Sequence, residues 1–411
     1  MDAPLYLSAR EAAAELGVST ATLYAYVSRG LVRSEPRPGS RKRLYRAEDI
    51  RALAARRDGE GSSTTASATP AGALDFGQPL LDSAITLIDG ERLFYRGRDA
   101  AILSEAAGLE SVATLLWGGE GDPFADHPAG GPRSDPLPEA DAALPPIARA
   151  QAMLPRIAAA DTEAFNTSED GRRRTAARVL RAVAGAIAGR PEGAAGSAAG
   201  DRTGLPVHER LAEAWALPAE ARDPLRAALV LSADHELNAS TFAVRVAAST
   251  GATLYDSVLA GLATLRGPRH GGMTERAAAL LDGLLAAEDP QAALTAALRR
   301  GDTLPGFGHR LYPAGDPRAR ALIRALARSW PDRPEPFALA RLADAAERLA
   351  GRPPTLDAAL AVLARIAGFP EGAALGVFAA GRTAGWLAHA LEQQGQASLI
   401  RPRARYVGPR P

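Results

Sequence analysis

The stretch from Leu304 to Arg318, LPGFGHRLYPAGDPR, contains the residue types best suited to chemistry. Its glycines let backbone approach a ligand closely, and its prolines restrict the loop to few conformations. On such a loop His309 could polarise an oxygen atom and Arg318 could clamp a carboxylate. The alternative is a plain helix–helix connection whose His and Arg side chains are solvated.

A second polar cluster lies in LSADHELNAST, inside an otherwise apolar helical pattern, and comprises Asp234, His235, Glu236 and Asn238. Buried polar groups need partners, so the cluster is either an internal network or a binding site. A zinc protease helix would need a second His four residues after His235, where Ala239 stands. A lone His in such a pattern is more often a satisfied core residue than a catalyst.

A third candidate is His270 in RGPRHGGMTE, where Pro268 interrupts a helical pattern and two glycines follow the ring. At such a break a side chain can lie near a ligand while backbone NH groups of the next helix point toward it. The alternative is an ordinary helix–helix corner. The spacing of His235, His270 and His309 matches no compact zinc pattern, so we expect no metal.

The loop GFGHRL also fails as a dinucleotide-binding sequence, because Leu311 occupies its last glycine position and no βαβ pattern surrounds it. We therefore expect no bound cofactor.

The elements that must position these residues belong to a chain of 411 residues, long enough for two or three domains with a sizeable core. Lys and Arg number 48 against 47 Asp and Glu, so the whole molecule is not a polyanion binder. The absence of Cys excludes disulfides, thiolate zinc sites and a Cys nucleophile. No signal peptide and no apolar run of membrane-spanning length is visible, which predicts a soluble, cytoplasmic protein without a membrane partner.

Most of the chain after residue 74 consists of Ala-, Leu- and Arg-rich segments with helical spacing, which predicts a nearly all-α body. The runs ITLIDG and LFYRG, on either side of Asp89 and Gly90, predict one small β-hairpin. Residues 58–73 are rich in Ser, Thr, Gly and Ala and are typical of a flexible linker between domains.

Residues 1–57 have the order of a helix-turn-helix domain. Leu7 to Leu16 is predicted to form a helix capped by Ser8, and Thr20 to Arg29 a second helix. A basic hairpin with its tip near Gly39 follows, and Ala47 to Arg57 is predicted to form a third helix.

This segment resembles the MerR/excisionase type of winged helix-turn-helix domain, through LSAREAAAELGVSTATLYAYVSRGLV and the basic wing. The resemblance implies that the second helix enters the major groove of DNA while the wing neutralises phosphates. The implied DNA-binding residues are Thr20, Tyr24, Arg29, Arg41, Lys42 and Arg43. A basic hairpin that is merely solvated, or that contacts a protein, is the alternative.

From residue 74 to the end, the chain resembles the citrate synthase family. Five separated motifs occur in the order of that family: HELNAST, GPRHGG, PGFGHRLYPAGDPR, PTLDAAL and GRTAGWLAHALEQ…LIRPR. The resemblance implies an all-α, two-domain fold over residues 74–411, with a small subdomain at roughly 271–362. It also implies a homodimer whose active sites are shared between subunits.

The resemblance further assigns roles to residues of this chain. The implied oxaloacetate-binding residues are His235, Asn238, Arg318, Arg382 and, from the partner subunit, Arg401. The implied catalytic residues are His270, His309 and Asp357, and Gly306, Gly308 and Arg310 would lie near the nucleotide of coenzyme A. Asp357 would take a proton from the acetyl methyl group, His270 would stabilise the enol, and His309 would polarise the ketone.

The sequence departs from the family pattern after GPRHGG, where Met273, Thr274 and Glu275 replace the more common Ala–Asn–Glu. The helix-turn-helix segment is a further departure from ordinary citrate synthases. The expected function is therefore an acyltransferase that condenses acetyl-CoA with oxaloacetate to make citrate, or 2-methylcitrate from propionyl-CoA. The alternative is a DNA-binding regulator whose body senses CoA esters or keto acids.

Overall fold

The structure is a computed structural model that describes residues 6–16, 18, 20–28, 32–36, 43–47, 49–50, 81–125, 139–189, 204–396, 398–404 and 406–409. The chain divides into two compact units, Met1–Asp82 and Ser83–Pro411.

The described part of the first unit contains two short helices, a three-stranded antiparallel sheet and a few helical residues after the sheet. In chain order these are β1 (Tyr6–Ser8), α1 (Ala9–Glu15), α2 (Thr20–Ser28), β2 (Ser34–Pro36) and β3 (Arg43–Arg46). Strand β3 lies between β1 and β2. A small apolar core, to which α1, α2 and β3 all contribute, holds the unit together.

The first helix begins at Ala9, two residues later than the sequence predicted. Tyr6–Ser8 is extended because it pairs with β3, with Leu7 opposite Tyr45. Ser8 remains the cap: its hydroxyl accepts from the Glu11 amide at 3.3 Å, while the Glu11 carboxylate accepts from the Ser8 amide at 2.8 Å. This reciprocal capping box ends the strand and starts the helix.

The basic hairpin is confirmed in its strands, since β2 and β3 pair antiparallel from Ser34 opposite Tyr45 to Pro36 opposite Arg43. Its tip at Gly39 lies outside the described residues. Ala47, Asp49 and Ile50 are helical, and the remainder of the predicted third helix, like the predicted linker at 58–73, also lies outside them.

The described part of the second unit is helical apart from one small sheet and the connecting loops. Strands β4 (Thr86–Asp89), β5 (Arg92–Tyr95) and β6 (Arg98–Asp99) form an antiparallel meander, which confirms the predicted hairpin. The α-helices that follow are α3 (Ala100–Ala106), α4 (Leu109–Trp117), α5 (Glu139–Ala142), α6 (Pro146–Ala160), α7 (Glu169–Ala188), α8 (Val207–Ala214), α9 (Arg222–Ser232), α10 (Ala239–Ser249), α11 (Leu254–Leu265), α12 (Gly272–Leu285), α13 (Pro290–Arg300), α14 (Pro317–Ser329), α15 (Pro334–Ala350), α16 (Leu356–Ala367) and α17 (Ala373–Gln394). The all-α class expected for this body is confirmed.

Helix α17 is the centre of this unit. It packs against α4, α7, α9, α10 and α11, and most of its length is buried. Helices α12 to α16 pack against one another, and α14 also contacts α9. The ends of these two groups of helices carry the candidate site residues.

The first four residues of the HELNAST segment, 235–238, are not helical, contrary to the sequence prediction. Helix α9 ends at Ser232 and α10 begins at Ala239, so the polar cluster lies in a break between them. Asn238 causes the restart, because its side-chain oxygen accepts from the amides of Ser240 and Thr241, both at 3.1 Å. Glu236 has a left-handed backbone with φ of 55°, an uncommon conformation that concentrates at functional segments.

No helix in the described part of the chain is long and apolar enough to cross a bilayer.

Candidate active site

The loop before α14 fixes the proton of His309. The Leu311 amide donates to Nδ1 of His309 at 3.2 Å, so the proton of a neutral ring lies on Nε2. Burial, together with the positive charge of Arg318, lowers the pKa of His309. The ring is therefore neutral near pH 7 and offers one N–H donor, which suits the polarisation of a carbonyl oxygen.

His235 lies against this loop. Its Nε2 is 3.0 Å from the Tyr312 hydroxyl, and its ring is nearly perpendicular to that of His309, with centroids 5.2 Å apart. Burial lowers the pKa of His235 well below its ordinary value, and the nearby Arg318 and Arg382 lower it further. Two neutral imidazoles thus meet at one place, drawn from segments 74 residues apart in sequence.

Arg318 is buried in the first turn of α14 and is held by Asp316. Its Nε donates to Asp316 Oδ1 at 2.9 Å and its Nη2 to Oδ2 at 2.8 Å, a bidentate pair. The guanidinium carbon also lies 5.7 Å from the centroid of the Tyr312 ring. The side chain therefore cannot swing away from the two histidines without breaking a buried ion pair.

Arg382 is a second buried guanidinium, on α17. Its Nε donates to the Ser232 carbonyl at 2.8 Å and its plane approaches Phe378, with 4.7 Å from the guanidinium carbon to the ring centroid. Burial lowers the pKa of Arg382 to about 10, with Arg318 contributing to the decrease. Its Nη2 is buried and has no hydrogen-bond partner among the residues that the structure describes. A buried cation with an open donor strongly favours the binding of an anion.

Two glycines on α17 bring Arg382 to the break before α10. A Cβ on Gly385 would lie 2.3 Å from the Ala233 carbonyl oxygen, and one on Gly381 would lie 2.5 Å from that of Leu229. The Gly385 amide instead donates to the Ala233 carbonyl at 2.9 Å. Only glycine permits this approach, which sets Arg382 beside the segment that carries His235.

His270 belongs to a network centred on the buried hydroxyl of Ser240. Its Nε2 lies 2.8 Å from Ser240 Oγ, which also contacts Asn238 Oδ1 at 2.7 Å and accepts from Trp386 Nε1 at 3.2 Å. Because Trp386 can only donate and Asn238 Oδ1 can only accept, the hydroxyl of Ser240 donates to Asn238 in this arrangement. When the hydroxyl turns to His270 instead, the proton of the neutral ring lies on Nδ1, which can then donate to a ligand.

Burial lowers the pKa of His270 to about 4, and the positive charge of Arg382 adds to the decrease. The imidazole is therefore neutral across the physiological range. A neutral ring can donate one hydrogen bond to an oxygen on which negative charge develops, without needing to lose a charge itself.

Asp357 lies in the first turn of α16. Its Oδ1 accepts from the Thr274 hydroxyl at 2.6 Å, and its Oδ2 accepts from the Thr355 hydroxyl at 3.3 Å. Burial raises the pKa of Asp357 above its ordinary value, although the two hydroxyls and Arg318 counteract the increase. A desolvated carboxylate with a raised pKa is a stronger base than an exposed one.

Gly306 and Gly308 attach the His309 loop to the segment before Asp357. Thr355 donates its amide to the Gly306 carbonyl at 2.8 Å, and the Gly308 amide donates to the Pro353 carbonyl at 2.7 Å. Both glycines have left-handed φ values, 86° and 84°. A Cβ on Gly306 would lie 2.8 Å from that of Ala277, so close packing of the loop explains this glycine. Arg310 is exposed beside them.

The structure thus brings together the three histidines, the two buried arginines, Asn238 and Asp357 of the predicted site, with Gly306, Gly308 and Arg310 in the loop of His309. Arg401 is exposed in the segment after α17. In the first unit, Thr20 and Tyr24 are exposed on α2 and Arg43 is exposed on β3, while Arg29, Arg41 and Lys42 lie outside the residues whose side chains the structure describes.

Sequence reasoning missed four residues that hold the others in place: Ser240, Tyr312, Asp316 and Thr355. Each lies within a motif that the sequence singled out, two residues from the nearest predicted site residue. Proximity in a motif could have identified them as candidates. Within the described ranges, no three His, Cys, Asp or Glu side chains lie close enough together to share a metal ion.

The fold and the site define a helical protein in which two buried arginines, three neutral imidazoles and one desolvated carboxyl converge. Comparison with known sequences gives the family. The family model described as "Citrate synthase, C-terminal domain" matches residues 76–403, and the chain therefore belongs to the citrate synthase family. A model described as "Helix-turn-helix domain" matches residues 6–58.

Individual relatives of the chain also belong to this family. Citrate synthase 2 of Bacillus subtilis is 30% identical, over 80% of this chain and 93% of that protein. 2-Methylcitrate synthase 2 of Corynebacterium glutamicum is 35% identical, over 46% of this chain and 50% of that protein. The chain likewise spans only about half the length, 50%, of the mycobacterial relatives to which it is 40% identical.

A solved structure agrees with the fold. The citrate synthase of Thermoplasma acidophilum, in a ternary complex with carboxymethyl coenzyme A and oxaloacetate, superposes with a TM-score of 0.65 and 27% identity. The superposition covers 85% of this chain and 98% of that one.

Proposed function

We propose that the second unit condenses an acyl-CoA with oxaloacetate and water, releasing CoA and citrate or a 2-alkyl homologue. The observation that carries this proposal is the buried, unpartnered Nη2 of Arg382 beside the paired Arg318. Two guanidiniums in a desolvated site suit a dicarboxylate, and the neutral His309 Nε2–H, near Arg318, suits its ketone. Oxaloacetate carries these groups.

The acyl thioester would lie between Asp357 and His270. Asp357 takes a proton from the α-carbon, and the thioester oxygen, as it becomes an enol, accepts a hydrogen bond from His270. The α-carbon then attacks the ketone carbon, and the ketone oxygen takes a proton from His309. Water finally hydrolyses the thioester and frees CoA, and the proton taken by Asp357 makes up the one that His309 gave. The overall reaction is therefore acyl-CoA, oxaloacetate and water to a tricarboxylate and CoA.

The remaining assignments follow from this chemistry. His235 and Asn238 would add polar contacts to oxaloacetate, while Gly306, Gly308 and the exposed Arg310 would meet the nucleotide end of the thioester. Arg401 would complete the carboxylate clamp from a second copy of the chain, which makes the active form a homodimer. The relative named 2-methylcitrate synthase leaves propionyl-CoA as an acyl donor to compare with acetyl-CoA.

The test is CoA release by the purified protein with oxaloacetate and either acetyl-CoA or propionyl-CoA, followed by trapping of the free thiol. Release should require oxaloacetate and should fall by at least about a hundredfold in Asp357→Ala, because the base is lost. The ratio of kcat/KM for the two thioesters identifies the acyl donor. No release by the wild-type chain, with oxaloacetate nonetheless bound, would contradict the condensation.

DNA binding by the first unit is the second candidate function, and the match to a helix-turn-helix family model favours it. Thr20 and Tyr24 are exposed on α2, the helix that would enter the major groove. Arg43 is exposed on the wing, where its Nε donates to Ser34 Oγ at 2.9 Å and its Nη2 to the Ser34 carbonyl at 3.0 Å. The wing strand is thereby fixed with a cationic side chain on its surface.

The test for this second function is fluorescence anisotropy of a labelled random duplex titrated with the full chain at 50 and 200 mM salt. Affinity should fall steeply between the two salt concentrations, by roughly tenfold for every two phosphates contacted, and Arg43→Ala should weaken it. A regulatory role further requires that saturating oxaloacetate and acetyl-CoA change the DNA affinity; an unchanged affinity would contradict sensing.

A further inference from the structure

The position after GPRHGG departs from the common Ala–Asn–Glu pattern of the family, and the structure gives the departing residue a partner. Thr274 is the third residue of α12 and is 1% exposed. Its hydroxyl donates to Asp357 Oδ1 at 2.6 Å, the short distance expected for a charge-assisted O–H···O⁻ bond. A β-branched residue in a helix has few rotamers, so this hydroxyl is held in place by its own backbone.

The two oxygens of Asp357 are held unequally. Oδ1 accepts the short bond from Thr274, whereas Oδ2 accepts, from the residues that the structure describes, only the Thr355 hydroxyl at 3.3 Å. A bond at 3.3 Å is near the geometric limit and contributes little. The more weakly held oxygen retains more of its basicity, so Oδ2 is the atom better able to take a proton.

Thr274 also fixes the distance between two candidate catalytic groups. It follows His270 by four residues, at the corner where α12 begins, and its amide donates to the Gly271 carbonyl at 3.1 Å. Its hydroxyl reaches across to the first turn of α16. One side chain therefore connects the His270 corner to the helix that carries Asp357.

We propose that Thr274 is a positioning residue for the condensation: it holds Oδ1 of Asp357 and leaves Oδ2 as the proton acceptor. This inference rests on the proposed function. The charged groups that face Asp357 from the elements around it are Arg318 and Asp316 at the start of α14 and Arg382 on α17. The two arginines favour the carboxylate and Asp316 disfavours it, and none of the three can replace the donor lost with the Thr274 hydroxyl.

The sign of the effect follows from which form the bond stabilises. The Thr274 hydroxyl donates to the charged carboxylate, which lowers the pKa of Asp357 against the increase caused by burial. Removal of the donor must raise that pKa further. A larger share of the base is then protonated at a given pH, and the acid limb of the activity profile moves to higher pH.

The experiment compares the pH dependence of kcat/KM for the acyl-CoA in the wild type, Thr274→Val and Thr274→Ser. Valine keeps the shape but removes the donor, and should move the acid limb upward by about one pH unit. Serine keeps the hydroxyl and should restore the wild-type limb. Thr295→Val is the matched control, because the Thr295 hydroxyl bonds to the Gln291 carbonyl of its own helix, at 2.8 Å.

An unshifted acid limb in Thr274→Val, or the same shift in Thr274→Ser, would overturn the proposal. Should the valine variant not fold, Thr274→Ala removes the same donor and carries the same expectation. A direct readout separates this inference from the proposed function: the carboxyl ¹³C titration of Asp357, assigned by difference against Asp357→Asn, should move to higher pH in Thr274→Val. Absence of CoA release by the wild type would contradict the condensation. An Asp357 titration that does not move in Thr274→Val would contradict the role of Thr274.

Discussion

Asp316 and Arg318 form a buried, bidentate ion pair at the start of α14, and the same carboxylate reaches the helix of the candidate base. Asp316 Oδ2, which accepts from Arg318 Nη2 at 2.8 Å, also accepts from the Leu356 amide at 3.1 Å. Leu356 directly precedes Asp357. One carboxylate therefore sets the distance between a candidate substrate clamp and the candidate base.

Replacing Asp316 with Asn should lower the free energy of unfolding at neutral pH and make it less dependent on pH in the acid range. Burial alone would raise the pKa of Asp316, but the pairing with Arg318 holds it below its ordinary value. A carboxylate whose pKa is lowered by folding stabilises the native state above its unfolded pKa, near 4, and loses this contribution as pH falls through the folded pKa. The variant should lose about 3 kcal/mol of unfolding free energy at pH 7, because Arg318 is left buried and unpaired.

The measurement is urea denaturation of the two proteins between pH 7 and pH 3. The difference in unfolding free energy between the wild type and Asp316→Asn should become smaller toward low pH. Asp302→Asn, which removes an exposed pair with Arg300, serves as the control and should change stability little. A difference that stays constant with pH would show that Asp316 does not act through its charge.

Arg382→Gln should weaken oxaloacetate binding far more than it weakens folding. The guanidinium is buried with an open Nη2, so the free enzyme bears the desolvation penalty that a bound carboxylate relieves. Loss of a buried, charge-assisted pair should raise the KM for oxaloacetate by about a hundredfold. Steady-state kinetics with varied oxaloacetate, supported by calorimetric titration, measures this directly.

The matched control is Arg365→Gln, which removes an arginine paired with Asp282 on the surface. Its KM for oxaloacetate should stay close to the wild-type value. Equal effects of the two substitutions would mean that Arg382 serves the fold rather than the substrate.

The sequence identified the residues of the candidate site but not the local structure that orients their side chains. HELNAST was predicted to lie inside a helix because its flanking residues are apolar at helical spacing. Periodicity does not show that Asn238 caps a new helix, or that Glu236 takes a left-handed backbone that interrupts the old one. That break is what turns His235 toward Tyr312.

Contacts between side chains that are distant in sequence could not be predicted from the sequence motifs either. Thr274 and Asp357 are 83 residues apart, and nothing in either motif indicates that their side chains meet. The pairing of Arg318 with Asp316, only two residues away, depends on Asp316 acting also as the cap of α14. Motif order was sufficient for the family and the helical fold, whereas the orientation of each functional group depends on contacts between elements that are distant in sequence.

Ser240→Ala should lower kcat by roughly tenfold while the protein remains folded. The Ser240 hydroxyl is the group that contacts His270 Nε2, at 2.8 Å, and its loss frees the ring to rotate and to change tautomer. A mixture of tautomers puts the ring proton on the wrong nitrogen in part of the population. Nitrogen-15 shifts of the His270 ring should show one dominant tautomer in the wild type and a mixture in the variant; an unchanged tautomer with normal kcat would contradict the role of Ser240.

Mixing two inactive variants should restore activity if Arg401 acts in the site of a partner subunit. Arg401 is exposed in a single chain, in the segment that follows α17. In a heterodimer of Asp357→Ala with Arg401→Ala, one site combines both defects and the other contains an intact Asp357 and an intact Arg401. With random exchange, half of the dimers are mixed and each has one good site, so activity should recover to about a quarter of the wild-type value.

Denaturation and joint refolding of equal amounts of the two variants, followed by the CoA-release assay, measures this recovery. Each variant refolded alone is the control, and a mixture no more active than their average would place Arg401 outside a shared site.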